Sequence, residues 1–79
     1  MVTVHREAGL RFIIFVDDHE PAHIHVVGDG KAKINLAGRD GRPELVYNDG
    51  LKAGDLRKAL RIVAEQQAVM LERWDEIHG

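Results

Sequence analysis

The sequence contains no cysteine, so the protein can form neither a disulfide framework nor a thiolate metal site. It also lacks an excess of positive charge, because 11 Lys and Arg residues stand against 13 Asp and Glu residues, a formal net charge of −2 at pH 7. A general nucleic-acid-binding domain carries a basic net charge with clustered Lys and Arg. Any contact of this protein with RNA or DNA therefore has to be local.

Long apolar segments are absent as well. The longest uninterrupted apolar run, Phe12 to Val16, is far shorter than the roughly 20 residues of a transmembrane helix. The N-terminus has no cationic head followed by an apolar stretch, so we expect no secretory signal, no membrane partner and a cytoplasmic location. The 79 residues predict a single domain, residues 1–79, whose small core can be completed by association, for example as a homodimer.

The first half of the chain has the pattern of β-strands. Residues 10–16 are apolar on both faces, which suits a central strand. Pro21 follows in a polar loop, and from Ala22 onward polar and apolar residues alternate again. We predict a small antiparallel sheet of four or five strands within residues 1–48.

Whether the loop around Gly28, Asp29 and Gly30 has an even or an odd number of residues determines which residues of the hairpin pair. A two-residue loop would place polar residues opposite apolar ones, whereas a three-residue loop pairs residues of like polarity. The predicted pairs are Val26 with Ala32, Ile24 with Ile34, His25 with Lys33 and His23 with Asn35. We expect Gly30 to adopt the left-handed conformation that such loops require.

From about Ala53 the apolar period becomes that of a helix. One stripe continues nearly to the C-terminus at spacings of four and three: Leu56, Leu60, Val63, Gln67, Met70, Trp74 and Ile77. We predict one long helix, about residues 53–78, packed on the sheet in an α+β fold. Ile62 and Val69 fall together on one flank of this stripe and are predicted to form a partner interface.

The residues best suited to catalysis or ligand binding are His23 and His25, which share one face of a predicted strand. Two adjacent imidazoles suit acid–base catalysis near neutral pH. Lys33 and Asn35 lie on the same face, with Lys31 just beyond, so cations and an amide could hold a phosphate there. This is the arrangement that a metal-independent phosphodiesterase reaction needs, with His23 and His25 as catalytic residues, the other three residues binding substrate, and no cofactor.

Two other interpretations of the histidines remain open. The pair could bind a divalent metal such as zinc, with His19 completing a set of three histidines. The spacing does not single out the third ligand, since His5, Asp17, Asp18 and Glu20 are also within reach. Alternatively, the two histidines are ordinary polar surface residues on the solvent side of a small sheet, without a functional role.

Several stretches of the sequence resemble the small bacterial proteins of domain of unknown function 4160. They are the residues Gly9 to Phe15, His19 to Val26, Ala32 to Ile34, Leu56 to Val63 and Leu71 to Gly79. The segment Glu-Pro-x-His-x-His is the most specific of these. Members of the family commonly have proline where this chain has Ala22, and often serine or another capping residue where it has Lys52, but neither departure affects the histidines.

This resemblance implies a component of a bacterial type II toxin–antitoxin-like module, encoded beside a small cognate protein, but it supplies no catalytic residue. Our leading hypothesis is the toxin, acting on RNA through the histidine face. The alternative is a non-catalytic binding or regulatory protein, such as an antitoxin or adaptor, in which the same face docks a partner.

Overall fold

The alternating first half and the helical second half of the chain fold as two layers. The computed structural model describes residues 1–79 and contains five strands followed by two helices. The elements are β1 (Val2–Glu7), β2 (Leu10–Ile14), β3 (His23–Val27), β4 (Lys31–Asn35), β5 (Glu44–Asp49), α1 (Ala53–Glu65) and α2 (Gln67–His78). Every strand pairs antiparallel with the next one in sequence, so the sheet is a meander. The predicted α+β class is confirmed.

One face of the sheet packs against both helices. Fourteen buried apolar residues form this core: Leu10, Phe12, Ile14, Ile24, Val26, Ala32, Ile34, Leu36, Leu51, Ala59, Ile62, Val63, Met70 and Trp74. The strand residues among them alternate with residues that point to the other side, as the pleat of a β-strand requires. The second face of the sheet, on which His25 and Lys33 lie, is called the open face below, and Trp74 of α2 contacts it only at His23 near its edge.

The β3–β4 hairpin has the predicted register. All four expected pairs are present, and Val27 pairs with Lys31 in addition. The left-handed conformation predicted for Gly30 is wrong, because Gly30 is not among the residues with positive φ. Glycine is needed there for space instead, since a Cβ at this position would lie 2.2 Å from the carbonyl carbon of Gly50.

The prediction of one long helix is wrong, because the helix is interrupted at Gln66. This residue has φ −102° and ψ 13°, and it separates α1 from α2. Beside the break, the Gln67 side chain donates hydrogen bonds to the carbonyls of Leu36 (2.7 Å) and Gly41 (2.8 Å). The interruption lies where the Gln67 side chain ties the helix to the loop after β4. A one-residue departure leaves the apolar stripe in phase, so the periodicity could not reveal it.

The helix surface also corrects the predicted interface. Ile62 is fully buried in the core, whereas Val69 is 53% exposed. Ile62 therefore cannot contribute to an exposed apolar patch, because the apolar arc of α1 is wide enough to bury this flank against the sheet. Only Val69 remains a predicted interface residue. No helix of the protein is both long enough and apolar enough to cross a membrane.

Candidate functional site

The loop between β2 and β3 places a carboxylate over the end of the sheet. The strand predicted to reach Val16 ends at Ile14, because the next residues form a turn closed by hydrogen bonds. The backbone N–H of Asp18 donates to the carbonyl of Phe15 (3.1 Å), and the N–H of Phe15 donates to Oδ2 of Asp18 (3.0 Å). Aspartate commonly stabilises turns by such bonds to nearby backbone. Here they fix the Asp18 side chain beside the start of β3.

Both histidines of β3 point their Nε2 atoms at this carboxylate. Oδ2 of Asp18 lies 3.3 Å from Nε2 of His23 and 3.3 Å from Nε2 of His25. The two imidazole rings meet edge-on, with centroids 5.0 Å apart. One nitrogen from each ring and one carboxylate oxygen thus converge, all within 4.8 Å of one another.

His23 is held in place from several sides. Its ring is 4% exposed and lies 5.1 Å from the Trp74 ring, centroid to centroid. Nδ1 lies 2.9 Å from the carbonyl of Pro21, which can only accept, so Nδ1 carries a proton. In the neutral ring the Nε2 atom facing Asp18 then presents its lone pair.

His25 is more accessible, with 19% of its side chain exposed, but its Nε2 atom is buried without a hydrogen-bond partner. Burial lowers the pKa of His25 below its ordinary value of 6.5, and the positive charges of His23 and Lys33 act in the same direction. Asp18 opposes this shift. Burial, rather than the charge of Lys33, is the main cause of the lowered pKa of His25.

The pKa of Asp18 is also lowered, from its ordinary value of 3.8. Burial alone would raise it, but the hydrogen bond from the Phe15 N–H and the positive charges of His23 and His25 together outweigh burial. The carboxylate is therefore ionised at neutral pH and can attract a cation.

The C-terminal end of α2 closes the site from the other side. The Trp74 ring stacks on His78 with centroids 3.8 Å apart, and the Trp74 Nε1–H donates to Oε1 of Glu20 at 3.2 Å. Nε2 of His78 lies 3.1 Å from the carbonyl of Phe15. The sequence predicted Trp74 as a core residue, which is confirmed. Its contacts with the histidine loop were missed, because no local pattern links residues more than fifty positions apart.

The open face carries the second functional feature, a group of cations. Arg6 pairs with Arg11 across β1 and β2, and Lys31 and Lys33 occupy the same face of β4. None of these four side chains forms an ion pair within the protein. The acidic residues of this face lie on β5, where Glu44 pairs with Asn35 and Asp49 pairs with Lys31. We call Arg6, Arg11, Lys31 and Lys33 the cationic group.

The structure brings together most of the residues predicted from the sequence. Lys33 pairs with His25 and Asn35 with His23, whereas Lys31 lies two positions further along the open face. His19 is exposed and does not belong to the histidine cluster, where the third ligand atom comes from Asp18 instead. Asp18 thus stands where the sequence placed His19, because the turn that directs Asp18 inward leaves His19 outside.

The larger of two surface clefts does not lie at the histidines. Its volume is about 410 Å³, and Arg11, Val27 and Asp29 are among the residues that line it. This cleft is at the opposite end of β2 and β3, where the hairpin loops meet. Arg11 thus borders both the cleft and the open face.

Comparison with known proteins identifies a family but no characterised relative. The model of a family described as "Domain of unknown function (DUF4160)" matches residues 9–75, which include β2 to β5, the histidine cluster and most of both helices. No curated protein matches the chain, and no solved structure matches it.

Proposed function

The chain belongs to the DUF4160 family, and from that premise we propose that it is an RNA-binding component of a bacterial toxin–antitoxin-like module, on the toxin side. The observation that carries RNA binding is the cationic group on the open face, whose members have no ion-pair partner in the protein. The assignment to a module rests on the family resemblance alone. The RNA substrate implies a cytoplasmic location.

The open face suits single-stranded RNA for two physical reasons. Unpaired Lys and Arg side chains attract phosphates, and aromatic rings provide surfaces on which bases stack. Tyr47 pairs with Lys33 on this face and is 42% exposed, and the Phe15 ring lies against His25 with centroids 4.6 Å apart. With a net charge of −2, attraction for phosphate has to come from a local group of cations rather than from the protein as a whole.

In this proposal the histidine cluster catalyses the reaction on the bound RNA, because it adjoins the binding surface at the His25–Lys33 pair. A phosphate held by Lys33 would therefore lie beside His25. The Nε2 atoms of both histidines face Asp18, however, and Nδ1 of His23 faces Pro21. Acid–base catalysis by His23 and His25 thus requires one of these contacts to open when RNA binds.

RNA binding can be tested by fluorescence anisotropy with a labelled single-stranded RNA at several salt concentrations. Lys33→Ala and Lys31→Ala should each weaken binding and reduce the slope of log K against log salt by about 0.7, because each removes one phosphate contact. Lys58→Ala is the matched control, since Lys58 is an exposed lysine on α1. Equal weakening by all three variants would contradict binding at the open face.

Expression in bacteria separates the toxin from a non-catalytic adaptor. The toxin should arrest growth, and the double variant His23→Ala, His25→Ala should abolish the arrest while it remains folded and abundant. Harmless expression of the wild type would favour the adaptor, whose histidine face would only dock a partner.

The proposed partner is the small cognate protein, with homodimerisation as the alternative. β5 is the surface best suited to it, because all six residues of this edge strand are exposed, including Leu45, Val46 and Tyr47. An unpaired edge strand offers backbone groups to an added strand. Co-purification with the neighbouring protein should fail for Val46→Pro, which removes a backbone donor, and should persist for Val69→Asp. The reverse result would place the interface on α2 rather than on β5.

A further inference from the structure

We infer that Asp18, His23 and His25 form a binding site for a divalent transition-metal ion, for which Zn²⁺ is the most informative probe. Three potential ligand atoms converge in the structure, and one of them, Nε2 of His25, is buried with the Asp18 carboxylate 3.3 Å away but without a hydrogen bond of good geometry. Buried polar nitrogens without a partner are rare in folded proteins. The inference goes beyond RNA binding at the open face, which does not depend on it, but an ion held by these Nε2 atoms would replace acid–base catalysis by His23 and His25.

The spacing of the ligand atoms fits a tetrahedral ion. Zinc binds imidazole nitrogen at about 2.0–2.1 Å and carboxylate oxygen at about 2.0–2.2 Å, which places neighbouring tetrahedral ligands about 3.3–3.5 Å apart. The structure has 3.3 Å from Oδ2 of Asp18 to Nε2 of each histidine. The two Nε2 atoms lie within 4.8 Å of each other, so the imidazoles would have to approach by up to about 1.4 Å to complete the tetrahedral arrangement.

The surrounding contacts resemble the outer shell of a metal site. A ligating histidine usually donates its second N–H to a carbonyl or carboxylate, which fixes the orientation of the ring. His23 has this arrangement, because its Nδ1 faces the Pro21 carbonyl at 2.9 Å. The Asp18 carboxylate is itself fixed by the N–H of Phe15. Two of the three ligands are thus oriented before any ion binds.

The type of donor atoms selects the class of ion. Two imidazole nitrogens and one carboxylate oxygen suit zinc and other first-row transition metals, whereas calcium and magnesium prefer sets of oxygen ligands. Three protein ligands leave the remaining coordination positions to water or substrate, as in catalytic metal sites. An ion held here would lie beside the cationic group, where its charge would add to that of Lys33 in attracting a phosphate.

The site is tested by titrating chelator-treated protein with Zn²⁺ against a chromophoric chelator, and with Co²⁺ by visible absorption. Wild-type protein should bind one ion. Asp18→Asn and His25→Ala should each weaken binding by at least about 100-fold, since even loss of an outer-shell partner costs about 10–100-fold. The matched controls are Asp17→Asn and His19→Ala, which change an exposed acid and an exposed histidine of the same loop. Both should bind as wild type does.

The inference is overturned if wild-type protein binds Zn²⁺ no more tightly than His25→Ala, or if His19→Ala weakens binding as much as His25→Ala does. Melting temperatures in chelator establish that each variant is folded before its affinity is compared. RNA anisotropy in the same chelator separates the two proposals. RNA binding without metal binding would refute only the site, and metal binding without RNA binding would refute only the proposed function.

Discussion

The two faces of the sheet differ in what their side chains contact, although the same strands supply both. On β3 and β4 the residues Ile24, Val26, Ala32 and Ile34 are buried in the core, whereas His25 and Lys33 alternate with them on the open face. Burial of the first set stabilises the fold through the hydrophobic effect. The second set is only partly buried, so part of its surface remains accessible for binding. Stability and function are thus separated residue by residue along two strands.

The largest expected effect tests this separation on neighbouring residues of β4. Ile34→Ala should lower the free energy of unfolding by about 2–5 kcal/mol, because it leaves a cavity in the core. Lys33→Ala should change it by no more than about 0.5 kcal/mol. Urea denaturation measures both values. Similar losses for the two variants would show that the open face also stabilises the fold.

A smaller effect is expected at Trp74, where the two faces meet. Trp74 belongs to the core cluster, yet it contacts His23 and donates a hydrogen bond to Glu20. Glu20→Ala should cost about 0.5–1.5 kcal/mol, the usual net value of one hydrogen bond. The cost should disappear in a Trp74→Phe background, where the donor is absent. An equal cost in both backgrounds would mean that Glu20 stabilises the loop by another contact.

The histidine cluster should make stability depend on pH in chelator-treated protein. The pKa of His25 is lower in the folded protein than its ordinary 6.5, so the unfolded chain binds more protons below that pH. Stability should therefore be full above pH 6.5 and decline as the pH falls through the folded pKa. The lowered pKa of Asp18 adds a second decline below its ordinary 3.8.

Urea unfolding at pH 7.5 and pH 5.0 measures the first of these declines. His25→Gln should reduce the difference between the two pH values, because glutamine does not titrate. His19→Gln, a change of an exposed histidine outside the cluster, should leave the difference as in wild type. A reduction by both variants would assign the pH dependence to histidines in general rather than to the buried cluster.

The smallest expected effect is the change in the pKa of His25 when Lys33, its neighbour on the open face, is replaced. The positive charge of Lys33 is the weakest of the causes that lower the pKa of His25, after burial and the charge of His23. Lys33→Met should therefore raise this pKa only slightly. NMR titration of the histidine ring signals detects the shift. A return to the ordinary value in this variant would mean that Lys33, rather than burial, controls His25.

The sheet could be predicted from the sequence further than the helices could. Strand parity gave the β3–β4 register and the alternation of His25 with Ile24, because the side-chain period of a strand is two and polar residues must share a face. Helical periodicity located the buried stripe but not the break at Gln66. It also predicted Ile62 at a surface interface, whereas the residue is buried in the core. A helix can vary its buried arc and bend without losing its period.

The sequence alone determined which residues alternate, which histidines lie next to each other and which lysine lies opposite them, since these properties depend on local geometry and pairing parity. Only the tertiary structure decided that Asp18 completes the cluster, that His19 does not, and that Trp74 closes it from α2. The physical reason is that a local turn orients Asp18 and contacts between distant segments place Trp74, and neither can be read from strand alternation. Five acidic or histidine residues were eligible as the third ligand from the sequence, and one turn selected Asp18 among them.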